Sequence, residues 1–221
     1  AATKSSFLLA IPFFILAANL MNALGITQRI FDFATALAGR LRGGLAQVNV
    51  VASMIFAGIS GAAVADAAGL GTIEIKAMKD SGYSLEFSAA ITLASATIGP
   101  IIPPSVMMLI YAILANVSPA AMFLAGILPG FLIGLILMIT IYFQVTLGLQ
   151  DCPPPVKFSL KRLIKTSKDG VLSLLAPFII LWGMVSGVVT PTEAGVLAIF
   201  YSLLLGYHTI HIDTIKYLII S

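Results

Sequence analysis

The stretch Phe56–Gly71, with the sequence FAGISGAAVADAAGLG, places small, flexible residues and the ionisable Asp66 inside a long apolar passage. The run before it, Gly44–Ala57, has 14 residues, which at ~1.5 Å per residue reach only ~21 Å into a hydrocarbon core ~30 Å thick. The run after it, Ala62–Ile73, is equally short. Two half-length helices joined by a Gly/Ser tip predict a re-entrant hairpin over residues 44–71. Irregular backbone persists at mid-membrane only inside protein or beside a watery cavity, so the pattern indicates a transport site.

The composition excludes a water-soluble domain. Hydrophobic residues make up 59% of the 221 residues and charged residues only 10%, as is typical of a chain that folds in lipid. Long apolar runs predict membrane helices, so we expect an all-α polytopic membrane protein. Beside the hairpin, five apolar segments predict spans: Phe7–Leu24, Phe87–Leu114, Ala121–Leu149, Val171–Val189 and Gly195–Leu205.

The basic residues distinguish a re-entrant hairpin from a full crossing. If the hairpin returns to its own side and each other segment crosses once, eleven of the twelve Lys and Arg residues share one face and only Lys4 lies on the other. If the hairpin crossed, Arg29, Arg40 and Arg42 would move to the outer face. Because Lys and Arg concentrate on the cytoplasmic side, the charges favour re-entry and place the basic loops in the cytoplasm.

A second interruption lies within Phe87–Leu114, which reads GPIIPPS from Gly99 to Ser105. Its three prolines, Pro103 among them, lack backbone donors and exclude a continuous helix. The helix is predicted to open and free carbonyls around Thr97–Gly99, which together with hydroxyl groups suit a hard cation such as Na⁺. The half-helix that begins near Ser105 offers N–H groups and a positive dipole to an anion. Discontinuous helices are typical of secondary-transporter sites; a proline kink that only improves packing is the alternative.

Asp66 and three other polar residues lie within the apolar segments. A membrane-buried acid is functional by default, so Asp66 is interpreted either as an ion or substrate contact or as a cap that stiffens the hairpin tip. Asn49, Ser53 and Thr92 are expected to bond neighbouring helices rather than a ligand. An intramembrane aspartyl protease is disfavoured because that chemistry needs two carboxylates, and Asp66 is the only acid in the predicted membrane segments. No enzymatic activity is expected.

Five longer motifs follow one another along the chain: FFILAANLMN, GGLAQVNVVASMIFAGISGAAVADAAGLGTIEIKAM, GYSLEFSAAITLASATIGPIIPPSVMMLIYAILANVS, FLAGILPG and VVTPTEAG. In this order they resemble the large membrane subunit of TRAP (tripartite ATP-independent periplasmic) transporters, of the DctM type. The resemblance runs from about Phe7 to Tyr207. It implies an elevator-type symporter of the bacterial or archaeal inner membrane, in which a Na⁺ gradient drives uptake of C4-dicarboxylates, 2-oxo acids or sialic acids.

The resemblance also implies partners and a repeat. In this family a periplasmic binding protein delivers the substrate, a small four-helix membrane subunit accompanies the large one, and the large subunit holds two inverted repeats. The chain is similar to the first repeat, with the hairpin tip at Ile59–Asp66 and the broken helix at Gly99–Ser105, so we expect a fragment of about half the subunit. The candidate substrate- and ion-binding residues are Ser60, Gly61, Ala62, Asp66, Thr97, Gly99, Pro103 and Ser105, with Ser60, Gly61 and Gly99 as Na⁺ ligands.

Two positions depart from the family pattern, and two functional alternatives stay open. Ala62 stands where family members commonly have serine, which leaves only its carbonyl as a ligand, and Met107 stands where proline is frequent, which predicts a straighter half-helix. One alternative is a stand-alone Na⁺/dicarboxylate symporter that uses no binding protein. The other is a structural subunit that transports nothing, for which uninterrupted helices are expected.

The predicted organisation has five parts. An N-terminal membrane helix and cytoplasmic connector (1–43) precede the hairpin (44–71), which is followed by the broken helix and the next membrane helix (72–149). A basic cytoplasmic connector (150–170) then leads to further membrane helices (171–221) and towards the second repeat. Within the connector, Leu160–Ile164 is interpreted either as the start of a helix on the membrane surface or as a solvated loop.

Overall fold

The computed structural model describes residues 2–155 and 159–220, with most side chains from Leu9 to Tyr207, and these residues are helical with no strand. The Lys4 side chain, which enters the charge argument, lies outside the described residues. The helices are α1 (Ala2–Ala23), α2 (Ile26–Ala38), α3 (Leu45–Ser60), α4 (Ala63–Ala68), α5 (Leu70–Asp80), α6 (Leu85–Ala96), α7 (Val106–Ala115), α8 (Pro119–Thr146), α9 (Leu160–Val185) and α10 (Pro191–Ile220).

One helix of the described residues, α8, is by itself long and apolar enough to cross a membrane. The described part of α1 and the whole of α2 qualify only as a bent pair, because they meet at 73°. The bend falls at Gly25, whose φ of 73° is readily adopted only by glycine. The multi-pass topology with five spans stays a prediction.

Helix α2 occupies a stretch that the sequence reading treated as a connector. Its buried positions include Ile26, Ile30 and Ala34, spaced four residues apart on one face. That face packs mainly against α3 and α9. The periodicity is visible in the sequence, and burial of the stripe fixes α2 against the hairpin instead of leaving it as a loop.

The predicted hairpin corresponds to α3 and the consecutive helices α4 and α5, with different boundaries. Helix α3 runs on to Ser60, three residues beyond the predicted end, and 13 of its 16 residues are buried. The second arm does not stop at Ile73 but continues to Asp80, with an interruption at Gly69 that separates α4 from α5. In α4 only Asp66 is buried. The two arms therefore differ in how much of their surface the fold encloses.

The interruption predicted within Phe87–Leu114 is confirmed. Helix α6 ends at Ala96, and α7 begins at Val106, with turns and bends between them. We call residues 97–105 the break and residues 60–62 the tip. The region 160–164, by contrast, is the first turn of α9, which continues without interruption to Val185, so neither a separate surface helix nor a loop is present there.

Candidate functional site

The tip of the hairpin contacts the end of the break. Gly61 has φ +59°, and its carbonyl accepts a hydrogen bond of 3.1 Å from the Val106 amide, the first residue of α7. A Cβ at Gly61 would overlap the Pro104 carbonyl oxygen and lie 3.1 Å from Ser105 Cα. Position 61 therefore requires glycine for two reasons, its backbone conformation and the close approach of the two elements.

The prolines redistribute the backbone hydrogen bonds of the break. Residue 103 is proline and has no N–H, so the Gly99 carbonyl has lost the donor that a helix would supply. The Ile101 amide bonds to Ile98 O at 2.9 Å, which withdraws it from the Thr97 carbonyl, its partner in a regular helix. The Thr97 and Gly99 carbonyls are thus released from helical pairing, whereas Ile98 O between them accepts bonds from the Ile101 and Ile102 amides, both at 2.9 Å.

Ser105 caps the half-helix α7. Its Oγ accepts a hydrogen bond of 3.2 Å from the Met108 amide and donates one of 2.5 Å to Pro100 O. It satisfies one free N–H of the helix start and closes the break into a compact loop. With the Val106 amide bonded to the tip, two donors of this N-terminus are engaged within the chain itself.

Asp66 bridges the tip. Its Oδ1 accepts a hydrogen bond from Ser60 Oγ, and the helix that contains it has Ala62 at the N-cap with no side-chain cap bond. The capping interpretation is therefore wrong, although the side chain does tie the two arms together. Asp66 is 2% exposed, and its buried Oδ2 has no hydrogen-bond partner among the described residues. A Cβ built at Gly99 would lie 2.6 Å from that oxygen, so the carboxylate of the hairpin points at the backbone of the break.

The structure brings most of the predicted site residues together. Ser60, Gly61, Asp66, Gly99 and Ser105 meet within the contacts just described. Of the remaining three, Ala62 has an extended backbone between α3 and α4, and Pro103 is joined to Pro104 by a cis peptide bond. Thr97 is exposed, and its hydroxyl donates to Ala94 O at 2.6 Å. The Thr97 hydroxyl is thus engaged within its own turn.

Behind the tip, a buried polar network joins the first arm to α6. Asn49 Nδ2 donates to Thr92 Oγ1 at 2.7 Å, Ser95 Oγ donates to Asn49 Oδ1 at 2.7 Å, and Ser53 Oγ donates to Ser95 Oγ at 3.0 Å. The prediction that Asn49, Ser53 and Thr92 bond neighbouring helices is confirmed. Ser95 was missed, although its spacing of three residues from Thr92 places both on one helix face. The network fixes the hairpin arm to the broken helix.

The base of the hairpin is held by Tyr83, which sequence reasoning did not single out. Its hydroxyl donates to Gly43 O at 3.0 Å and accepts from the Leu45 amide at 3.1 Å. Burial raises the pKa of Tyr83 to about 12, which the bond from Leu45 partly offsets. Nearby, Gln47 Nε2 donates to Met138 O of α8 at 2.9 Å. These bonds fix the direction in which α3 leaves the connector.

Glu74 of α5 is a second buried acid. Its side chain is 1% exposed, and its Oε1 has no hydrogen-bond partner among the described residues. The sequence places the end of the apolar run at Ile73, which leaves Glu74 outside the predicted membrane segments. The four-residue spacing of Leu70, Glu74 and Met78, all of which are buried, is the signal that places Glu74 on the inner face.

An all-helical chain with a long apolar helix, in which a helical tip meets the break of another helix over a buried carboxylate, has the architecture of a membrane transporter. The comparisons with known proteins agree. The family model described as tripartite ATP-independent periplasmic transporter, DctM component, matches residues 1–218. The chain therefore belongs to the TRAP transporter family, as its DctM component.

Three curated relatives illustrate the similarity. The sialic acid TRAP transporter large permease protein SiaM of Vibrio cholerae is 48% identical over 200 residues, which are 90% of this chain and 46% of that protein. The permease protein SiaT of Haemophilus influenzae, also a sialic acid TRAP transporter, is 45% identical over 199 residues, 90% of this chain and 32% of SiaT. The C4-dicarboxylate large permease protein DctM of Vibrio cholerae is 44% identical over 195 residues, 88% of this chain and 43% of DctM.

The chain thus spans between about a third and about a half of the length of these relatives. The relatives are permeases of TRAP transporters and not enzymes. Membership of the family makes the chain part of an integral inner-membrane protein.

Proposed function

We propose that the chain forms the first half of the permease site of a Na⁺-coupled transporter for small organic anions. The observation that carries the proposal is the contact between tip and break, where Gly61 O bonds the Val106 amide beside the buried, unpartnered Asp66 Oδ2. The names of the relatives point to sialic acids and C4-dicarboxylates as the substrate classes to test first.

The cation is proposed to bind between Asp66 Oδ2 and the freed carbonyls of the break. A buried carboxylate oxygen without a partner is strongly destabilising unless a cation or donor approaches it. Hard cations prefer oxygen ligands, and the carbonyl of Gly99, the residue toward which Asp66 Oδ2 points, has lost its helical donor. Among the predicted Na⁺ ligands, Ser60 Oγ is engaged with Asp66 and Gly61 O with α7, so they support the site rather than complete it.

The organic anion is proposed to bind near the start of α7 once the cation is in place. The helix dipole favours a carboxylate there, and the described apolar helices around the site offer no Arg or Lys as an alternative. A cation beside Asp66 removes the repulsion between this carboxylate and the substrate. Binding of the anion and the cation is therefore coupled, because each lowers the free energy of binding the other.

The proposal also includes the topology, the elevator movement and the partner proteins that membership of the family implies. The hairpin re-enters on the cytoplasmic side of a multi-pass protein, and hairpin and broken helix move together as the transporting element of an elevator. The full protein works with a small four-helix membrane subunit and a periplasmic binding protein. The polar network between α3 and α6 supports a common movement, because it joins the two elements through buried hydrogen bonds.

Site-directed labelling tests the re-entrant topology. In a Cys152→Ala background, cysteines placed at Arg42 and at Lys79 are both expected to react with a membrane-impermeant maleimide from the cytoplasmic side, since the hairpin returns to its own face. Reaction from opposite faces would show that residues 44–71 cross the membrane and would reject the re-entrant hairpin.

Uptake against Na⁺ concentration tests the site. The complete transporter is reconstituted in proteoliposomes with its binding protein, and labelled sialic acid and succinate are supplied. Asp66→Asn is expected to raise the half-saturating Na⁺ concentration at least about tenfold, since interactions of a charged group contribute roughly 1.5–3 kcal/mol. Ser60→Ala should give a smaller increase. Asp32→Asn, on α2, is the matched control, because that carboxylate already accepts a bond from Gln28.

Two results would count against the proposal. An unchanged Na⁺ curve in Asp66→Asn would remove the carboxylate from the cation site. Uptake without the binding protein, at the rate seen with it, would instead favour the stand-alone symporter.

A further inference from the structure

Glu74 is a buried carboxyl group that the proposed transport site does not use. It lies on the inner stripe of α5 with Leu70, Gly71 and Met78, one helical turn before Met78 and eight residues after Asp66. The side chain is 1% exposed, and within the part of the chain that the structure describes Oε1 has no hydrogen-bond partner, so these residues enclose the oxygen without satisfying it. A carboxylate in such a position is strongly destabilising unless a proton or a cation accompanies it.

No charged group of the described residues donates a hydrogen bond to Glu74 Oε1. Asp66 is the acid that acts on it electrostatically, and two interacting negative charges in a buried environment disfavour each other. Helix α3 carries no titratable residue, and α4 carries only Asp66. The other groups on the helices packed against α5, and on α5 itself, are the exposed Lys76, Lys79, Asp80 and Glu86 and the half-buried Arg29 and Asp32 of α2, where Asp32 accepts a bond from Gln28.

We propose that Glu74 is a proton-binding site of the hairpin, which holds a proton while α5 packs against α3 and releases it when the second arm opens. On release, the O–H bond of the carboxyl group breaks and the proton passes to a water molecule, leaving a carboxylate. That anion, close to Asp66, disfavours the return of α5 to its packed position. The inference deepens the proposed transport function by making the opening of the arm depend on pH.

The sign of the effect follows from the two positions of Glu74. The packed arm binds the proton more tightly than the open arm, where water solvates the carboxylate. Packing is therefore favoured at low pH and is lost as the pH rises through the range in which the buried group titrates. Buried glutamates of other proteins titrate at about pH 8–9, which sets the window for the experiment.

Thiol labelling of the arm tests the proposal without any transport measurement. In the complete subunit with Cys152→Ala, a cysteine at the half-buried Ala77 of α5 reports opening through its rate of reaction with a maleimide, corrected for thiol ionisation. Between about pH 6 and about pH 10 the corrected rate is expected to rise, by up to ~tenfold per pH unit once Glu74 titrates. In Glu74→Gln, which mimics the protonated acid, the rate should stay at its low-pH value. Glu86→Gln, an exposed acid on α6, is the matched control and should keep the rise.

The possible outcomes distinguish a bound proton, a bound metal cation and no bound species at Glu74. An equal pH response with and without Glu74→Gln would overturn the proposal. A labelling rate that Na⁺ lowers at fixed pH, and only while Glu74 is present, would identify a metal cation as the bound species and would also overturn it. If Glu74→Gln fails to insert, Glu74→Met keeps the volume without a titratable group and carries the same expectation. If the complete subunit with Cys152→Ala showed no Na⁺-dependent uptake, this would count against the proposed function but would leave the labelling result valid.

Discussion

Substitution of Gly61 gives the sharpest test of the contact between tip and break. We expect Gly61→Ala to weaken the packed tip and Gly61→Val to abolish Na⁺-dependent uptake. The residue has φ +59°, and any Cβ there meets the Pro104 carbonyl oxygen, a backbone atom that no side-chain rotation can move aside. The tip must therefore withdraw from α7, and the bond from the Val106 amide to Gly61 O is lost with it.

The magnitude follows from two contributions. A non-glycine residue in the left-handed conformation costs about 1–2 kcal/mol. Loss of one backbone hydrogen bond costs about 0.5–1.5 kcal/mol. The sum, about 1.5–3.5 kcal/mol, shifts the ratio of packed to open tip by ~10- to ~400-fold.

Gly25 provides the matched control. It has φ +73°, and a Cβ there meets no atom within 4 Å. Gly25→Ala therefore carries the conformational strain without the collision, and it lies away from the tip. The assays are initial uptake in proteoliposomes and maleimide labelling of a cysteine at Ala62 in a Cys152→Ala background. If Gly61→Ala and Gly25→Ala gave the same uptake and the same labelling rate, the close approach at residue 61 would have no role and the reasoning would be refuted.

Three further predictions concern the break, the buried network and the start of α10. Pro103→Ala combined with Pro104→Ala removes about 3 kcal/mol of helix penalty per proline, so α7 should lengthen and Na⁺-dependent uptake should fall while membrane insertion is retained; normal uptake would contradict a role for the break. Asn49→Leu removes the donor to the buried Thr92 hydroxyl and should lower the stability of the purified subunit by about 1–3 kcal/mol, whereas an unchanged melting temperature would mean that the network is not stabilising. Thr190 donates to Glu193 from its N–H at 2.7 Å and from its hydroxyl at 2.9 Å, and these bonds lower the pKa of Glu193. The ionised carboxylate thus stabilises the start of α10 at pH values above the unfolded pKa of Glu193, and this stabilisation is lost as the pH falls through the folded pKa. Hydrogen exchange at the start of α10 should therefore become faster in acid, and Glu193→Gln should remove this pH dependence.

The two interruptions were predictable because each follows from the residue types within its own short segment. Proline removes specific donors, and a Gly/Ser tip admits a positive φ, so the helices could end only near Ala96 and Ser60. The resulting contact between Gly61 and Pro104 was not predictable, since it depends on how two elements more than 40 residues apart come together. The order of motifs supplied the family, which no single motif could have done.

Other features were missed because burial decides them. Glu74 reads as a solvent-exposed acid next to Lys76, and only the packing of α5 shows that it faces inward. Ser95 and Tyr83 are ordinary residues in the sequence and gain their roles from partners on distant segments, Asn49 and Gly43. Asp66 is an intermediate case, because its burial was predicted correctly but its bond from Ser60 was not predicted.

The unequal enclosure of the two hairpin arms has a consequence for how a gate could work here. Moving α3 would expose 13 buried residues and break its polar bonds to α6, whereas α4 keeps only Asp66 inside. The movement of lowest energy is a rotation of α4 about Gly69. Helix α4 has six residues and is therefore ~9 Å long. A rotation of about 30° displaces the N-terminal end of α4, together with the tip that joins it to α3, by ~5 Å. This distance is wider than a water molecule, so a small hinge is enough to admit water to Asp66.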